Sequence, residues 1–148
     1  YDFFFHAHLT PPKGINYFYK LSNQMADKNF FLPSHKTHNQ LNNNISFKKV
    51  YWGEEFISIL KESKIVLCPS IWTYPVESAV IKSLLMKKAV AVVDNKYSFS
   101  KEIPDDCIIK LTGNLKEDTI MLSDILVDKK YIDFGRKGYD WVKAYLRI

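Results

Sequence analysis

A chain of 148 residues and 17.3 kDa, with 47% hydrophobic, 15% aromatic and 25% charged positions, has enough apolar material for one well-buried domain and too much for a disordered tail. Its 5 Gly and 6 Pro exclude collagen-like or linker material. No apolar run approaches the roughly 18 residues of a membrane-spanning helix, and the opening YDFFF lacks the basic start of a signal peptide. The formal net charge of +5 is carried mostly by Lys scattered among Asp and Glu, a pattern that favours phosphate-bearing partners and anionic membrane surfaces over nucleic acid. The abrupt start inside an apolar run, without an initiator Met, is expected of a piece of something longer.

Residues 2–9 (DFFFHAHL) read as a first strand, nearly continuous in apolar character as strands buried on both faces are. Thr10-Pro11-Pro12 breaks it. Ile15, Phe18, Tyr19, Ser22 and Met25 then fall at helical spacing, predicting a helix over 13–25. KNFFLP is a second short strand, and the polar stretch 34–44, rich in Asn and His, is expected to be a mobile loop. ISFKKVYW predicts a third strand closed by Gly53, followed by a helix over 54–63 with Glu54 and Glu55 in its first turn, where the dipole favours them. KIVLCPS is a strand stopped by Pro69. Val76, Ala79, Val80, Ser83 and Leu84 form an inward stripe on a helix over 76–86. AVAVVD and CIIKL are further strands, and helices over 116–127 and 129–146 finish the chain.

The alternation of strands and helices requires a parallel sheet covered on both faces, an α/β Rossmann-like three-layer sandwich formed by the whole of 1–148 as a single domain. Ligands of such sheets sit at the carboxyl ends of the strands, so the candidate site lies in Ala7 to Gly14, Gly53 to Glu55, Ser70 to Ser78 and Asp94 to Ser100. Cys68 and Cys107 are too few for a disulfide scaffold and read as buried strand thiols of a reducing, cytoplasmic compartment. Asn44-Ile45-Ser46 is a glycosylation sequon only if the chain is secreted.

Two of these loops carry a resemblance. FFFHAHLTPPKG is similar to the strand–loop–helix opening of the C-terminal domain of retaining GT-B glycosyltransferases of family 4, where a Gly-Arg is followed by Lys-Gly at the helix start. CPSIWTYPVESAVIKSLLMKKAVAVVD resembles that family's donor-site motif, a Pro-Ser strand end, a Glu-Pro-Phe-Gly turn and a helix carrying Glu-Ala, and YWGEEFISILKESKIVLCPS fits the segment between. The resemblance implies a domain that binds a nucleotide-sugar donor. The sugar would go to a glycan or lipid-linked acceptor held by a missing N-terminal Rossmann-like half, in polysaccharide biosynthesis at the inner face of a membrane. It implies no cofactor and no metal, because amides at a helix start and basic side chains neutralise the diphosphate.

Carried over residue by residue, the resemblance makes Lys13 the phosphate-binding lysine, with Gly14 after it, and makes the amides of Ser78 and Ala79 the helix start that faces the phosphates. The departures are as informative. His8 stands for a permanently charged Arg. Tyr74 and Lys82 occupy the places of two Glu that the family uses on the donor sugar and the ribose. Glu77 replaces the turn Gly and puts a carboxylate where an anion should bind. Lys87 and Ala89 replace a Gly and a Pro after the helix.

Each residue also has a plainer reading. Lys13 reads equally as a solvated first-turn lysine, Glu77 as a complement to the helix dipole, Tyr74 as a packed turn aromatic and Lys82 as a solvent-facing residue. Trp52 and Trp72 read as core or cleft walls, and Asp105-Asp106 as turn residues. His6 and His8, two apart on one strand face, make a polar rim; a zinc site with His35 and His38 has nothing to fix its geometry.

Overall fold

The computed structural model describes residues 1–34 and 42–148, so most of the predicted loop, with His35 and His38, lies outside the described residues. Six strands, β1 (Phe3–Phe5), β2 (Phe30–Pro33), β3 (Ile45–Lys48), β4 (Ile65–Cys68), β5 (Ala89–Val93) and β6 (Ile109–Leu111), form one sheet in the order β3-β2-β1-β4-β5-β6. Every neighbouring pair is parallel. The central strand explains its own composition. Phe3, Phe4 and Phe5 are all at 0% exposure, with Phe3 and Phe5 on one face and Phe4 on the other. Each such ring contributes about 1.5–3 kcal/mol through its removal from water.

Helices α1 (Ile15–Gln24) and α4 (Leu115–Val127) cover the face of Phe3 and Phe5 with Phe18, Leu21, Leu122 and Ile125. The opposite face, that of Phe4, is covered by α2 (Glu54–Glu62), α3 (Ser78–Leu85) and α5 (Tyr131–Leu146) through Phe56, Leu60, Val80, Leu84 and Val142. This is the Rossmann-like three-layer sandwich expected. Among the described residues no helix is long and apolar enough to cross a membrane.

Several boundaries differ from expectation, at β3 and α3 because apolar character outlasts the backbone pairing. The first strand stops at Phe5, leaving His6 in a loop whose first amide still donates to Leu67 O (2.9 Å). Pro11–Lys13 is a 3-10 turn, and α1 starts only at Ile15. β3 stops at Lys48; Val50 tucks inward but Tyr51 and Trp52 are exposed. Val76 is outside α3 and 49% exposed, so the buried stripe is Ala79, Val80, Ser83 and Leu84. Cys107 is buried but precedes β6, and an unpredicted 3-10 turn at Phe99–Glu102 buries Phe99. The amide of Asn44 donates to the carbonyls of Ser22, Met25 and Lys28, so this side chain is a structural tie between α1 and β3 and has no donor left for a glycan.

The strand order reverses between β1 and β4, where the chain leaves the sheet in opposite directions. The loops after these two strands therefore diverge and leave a crevice at their carboxyl ends.

Candidate functional site

Both crevice loops are held against each other by backbone. Gly14, in the left-handed region at φ 85°, lies against the Pro69 peptide, and Ile71 N donates to Pro12 O at 2.8 Å. This contact places Lys13, at the end of the β1 loop, beside the start of α3. The Lys13 ammonium meets Glu77 Oε2 at 2.8 Å, with the Glu77 side chain 8% exposed and that of Lys13 26%. Glu77 is the residue before α3, yet its side chain accepts none of the helix's first amides. Glu77 therefore remains a carboxylate at the helix start but is paired with Lys13, and among the described residues no side chain caps the amides of Ser78 and Ala79.

Ser78 and Ala79 line a cavity of about 200 Å³ that also gathers His6, His8, Trp52, Glu77 and Lys82. Five of the eight residues singled out in the sequence, His8, Glu77, Ser78, Ala79 and Lys82, thus share one space. Lys13 touches it through Glu77. Gly14 lies on the far flank, lining a second and largely apolar cavity of about 570 Å³ with Tyr17, Ile71 and Trp72. Tyr74 lines neither; it is 59% exposed, its amide donating to Tyr97 O (3.0 Å). Trp72, also exposed, stacks on Tyr97 with ring centroids 4.9 Å apart.

His6, read from the sequence as part of a polar rim, and Trp52, read as a core or cleft wall, both line the first cavity, together with Pro33, Val50 and Phe56, which the sequence does not mark. The His6 ring stacks on Trp52 (5.7 Å, 12°), and its Nδ1 is hydrogen-bonded to Ser83 Oγ at 2.9 Å. Lys82 folds back so that its ammonium sits 4.3 Å from the Trp52 ring centre, a cation over a π face. Lys82 therefore does not simply run into solvent. The parity of His6 and His8 is the signal for His6; the place just past a strand end is the signal for Trp52.

Burial first, then the charge of Lys82, pushes the His6 imidazole down to about 4 from its ordinary 6.5. A ring held neutral in the folded chain and free to protonate when unfolded stabilises the fold fully above about pH 6.5. That stability is lost as the pH falls through the window down to about 4, by up to about 3 kcal/mol. We predict that urea unfolding of the wild type weakens between pH 7 and pH 4 by that much more than unfolding of His6→Asn, which keeps a partner for Ser83. Equal pH slopes in the two proteins would contradict it. Cys68 is no candidate nucleophile: burial, reinforced by Glu77, pushes its thiol well above the ordinary range.

No protein-family model and no curated protein matches the sequence. Solved structures do match in shape. Sucrose-phosphate synthase from Thermosynechococcus elongatus superposes with a TM-score of 0.78 at 13% identity, over 96% of this chain and 40% of that one. A variant of S. aureus TarM, solved with fondaparinux, α-GlcNAc-glycerol and UDP, gives 0.72 at 16% identity, over 97% and 32%. AviGT4, a glycosyltransferase involved in avilamycin A biosynthesis, gives 0.66 at 15%, over 98% and 48%. At these identities the likeness is one of fold, the Rossmann-like fold of GT-B glycosyltransferase domains. The chain spans less than half the length of each of these neighbours.

Proposed function

We propose that this chain is the donor-binding domain of a retaining GT-B glycosyltransferase of the family 4 type. It would take a sugar from a nucleotide diphosphate to a glycan or lipid-linked acceptor in polysaccharide synthesis, on the cytoplasmic side of a membrane. The observation that supports this most directly is the start of α3, uncapped by any side chain among the described residues, whose Ser78 and Ala79 line a cavity shared with Lys82 and His8 and with Lys13 alongside. The acceptor-binding half, N-terminal to this one, belongs to the proposal. No metal does: the helix dipole, Lys13 and Lys82 supply the positive charge that a departing nucleoside diphosphate needs.

In the free domain Glu77 stands in for a phosphate on Lys13. A diphosphate must take over the Lys13 ammonium, so Glu77 lowers affinity without closing the site. Titrating UDP, GDP and their sugars by calorimetry tests this. Glu77→Gly should tighten nucleoside diphosphate binding about ten-fold, and Lys13→Ala should weaken it by a similar factor, each change being worth one charge-assisted hydrogen bond. Silence across the panel in both the wild type and Glu77→Gly would sink the reading.

The same Lys13–Glu77 pair, with Tyr74 and Lys82 in the places of two carboxylates, favours a second reading, a non-catalytic relative that binds a partner protein in glycan assembly. Sugar transfer by the protein joined to its acceptor half, abolished by Lys13→Ala, would exclude it.

A further inference from the structure

The opposite end of the sheet carries a feature that donor binding does not use. At the amino ends of β4 and β5 a cavity of about 280 Å³ is lined by Lys64, Lys87, Lys88, Tyr131, Ile132 and Arg136, contributed by the α2–β4 turn, the α3–β5 turn and the first turns of α5. Four cations line it and no carboxylate does. Lys64 is paired with Asp2 (2.8 Å), and Arg136 with Asp133 (2.7 Å) and, more distantly, Asp140 (3.9 Å). For Lys87 and Lys88 there is no carboxylate within ion-pair reach among the described residues. Lys88 is half-buried and its ammonium donates to Lys61 O at 2.7 Å, while Lys87 lies over the Tyr139 ring at 4.6 Å. A half-buried ammonium whose protein partner is one neutral carbonyl has two donors left for a ligand.

Lys87 holds φ at 56°, a left-handed conformation that Gly adopts freely and a lysine only at a cost. The turn cannot relax, because α5 presses on it: a Cβ on Gly135 would stand 2.3 Å from Lys87 O. Lys129 (56°) and Arg147 (57°) hold the same left-handed φ, so the conformation marks a helix-ending turn of this chain; what sets Lys87 apart is its place at a cavity rich in cations. The carboxyl ends of α3 and of α2, whose last-turn carbonyl at Lys61 receives Lys88, each favour a neighbouring cation, and Lys64 and Arg136 add two more that are already paired.

We propose that this cavity is an anion site for a phosphate group, distinct from the crevice at the carboxyl ends of the strands. Lys87 and Lys88 contact the phosphate oxygens, and Lys64 and Arg136 complete the positive field from their existing pairs. The phosphate comes either from a soluble phosphorylated ligand or from a lipid headgroup. Ile132 (63% exposed) at the cavity and Val127 (77% exposed) at the end of α4 supply apolar contacts that a bilayer surface would use.

The test uses the 148-residue chain, labelled for amide NMR and titrated with inorganic phosphate, alongside co-sedimentation with vesicles of phosphatidylglycerol and phosphatidylcholine or of phosphatidylcholine alone. Phosphate is expected to shift the amides of Lys64, Lys88 and Ile132. The Lys87→Gly/Lys88→Gln variant, which relieves the backbone strain and keeps a donor for Lys61 O, should weaken that response about ten-fold. A Lys20→Gln/Lys116→Gln variant, removing equal charge from exposed positions on α1 and α4, should leave it unchanged. Anionic vesicle binding that follows the same pattern identifies a lipid headgroup; localised phosphate shifts without vesicle binding identify a soluble ligand. Shifts scattered over the surface, or equal weakening in the two variants, would overturn the proposal.

Discussion

Gly14→Ala is expected to cost more than about 4 kcal/mol, enough to unfold the domain or leave it marginal, because two penalties fall on one atom. A Cβ at this position would stand 2.0 Å from Pro69 O, 2.6 Å from Pro69 C and 2.8 Å from Pro69 Cγ, so it meets mostly backbone that has nowhere to go. The φ of 85° adds strain for any residue with a side chain. The contact joins the β1 loop to the β4 loop across the switch in strand order. Forcing it apart also separates Lys13 from the start of α3, so the nucleoside diphosphate binding proposed above should disappear with the fold. Gly53→Ala is the control: the nearest atom to its Cβ would be Tyr51 O at 3.9 Å, and its backbone is extended at φ 162°. That substitution should change the unfolding free energy by less than about 1 kcal/mol. Urea denaturation followed by circular dichroism separates the two, and a Gly14→Ala protein as stable as Gly53→Ala would mean the two loops are not locked together.

The architecture is legible because parallel strands buried on both faces demand short, unbroken apolar runs, and FFF, IVLC and AVAVV have no other plausible use in a chain this size. The ends of elements are not legible in the same way. Val76 continues the hydrophobic spacing of α3 while lying outside it, and Trp52 continues the aromatic run of β3 while standing over the cavity, because spacing reports side-chain character and not where backbone pairing stops. His8, Glu77, Ser78, Ala79 and Lys82 are singled out in the sequence from loop and α3 positions and share the first cavity. Their pairings are not legible in the same way. Glu77 reads as a helix-dipole complement from its position alone; that it also pairs with Lys13, 64 residues earlier, depends on the Gly14–Pro69 contact that brings the two loops together. Likewise Lys82 reads as a surface lysine until Trp52 arrives from another element to hold it.

A second large effect is expected at Asp118, which no motif marked. It lies in the first turn of α4 at 0% exposure and accepts hydrogen bonds from Tyr17 Oη (2.7 Å), Thr112 N (2.7 Å), Thr112 Oγ1 (2.9 Å) and Gly113 N (3.0 Å). One carboxylate thereby ties α1, the end of β6 and the start of α4 into a single unit, its charge balanced by four donors and the helix dipole. Burial, then the hydrogen bond to Asp118, pushes the Tyr17 phenol well above its ordinary range and keeps it a donor. Asp118→Ala strips the acceptor from all four at once and leaves buried N–H and O–H groups unpaired, at a cost of about 3–5 kcal/mol. Tyr17→Phe removes one bond only and should cost about 1 kcal/mol. Once Asp118 is alanine, Tyr17→Phe should cost nothing more, since the hydroxyl has already lost its acceptor. Additive losses in that cycle, or an Asp118→Ala protein within about 1 kcal/mol of wild type, would show that water replaces the carboxylate and that α1 and α4 are held by their apolar contacts alone.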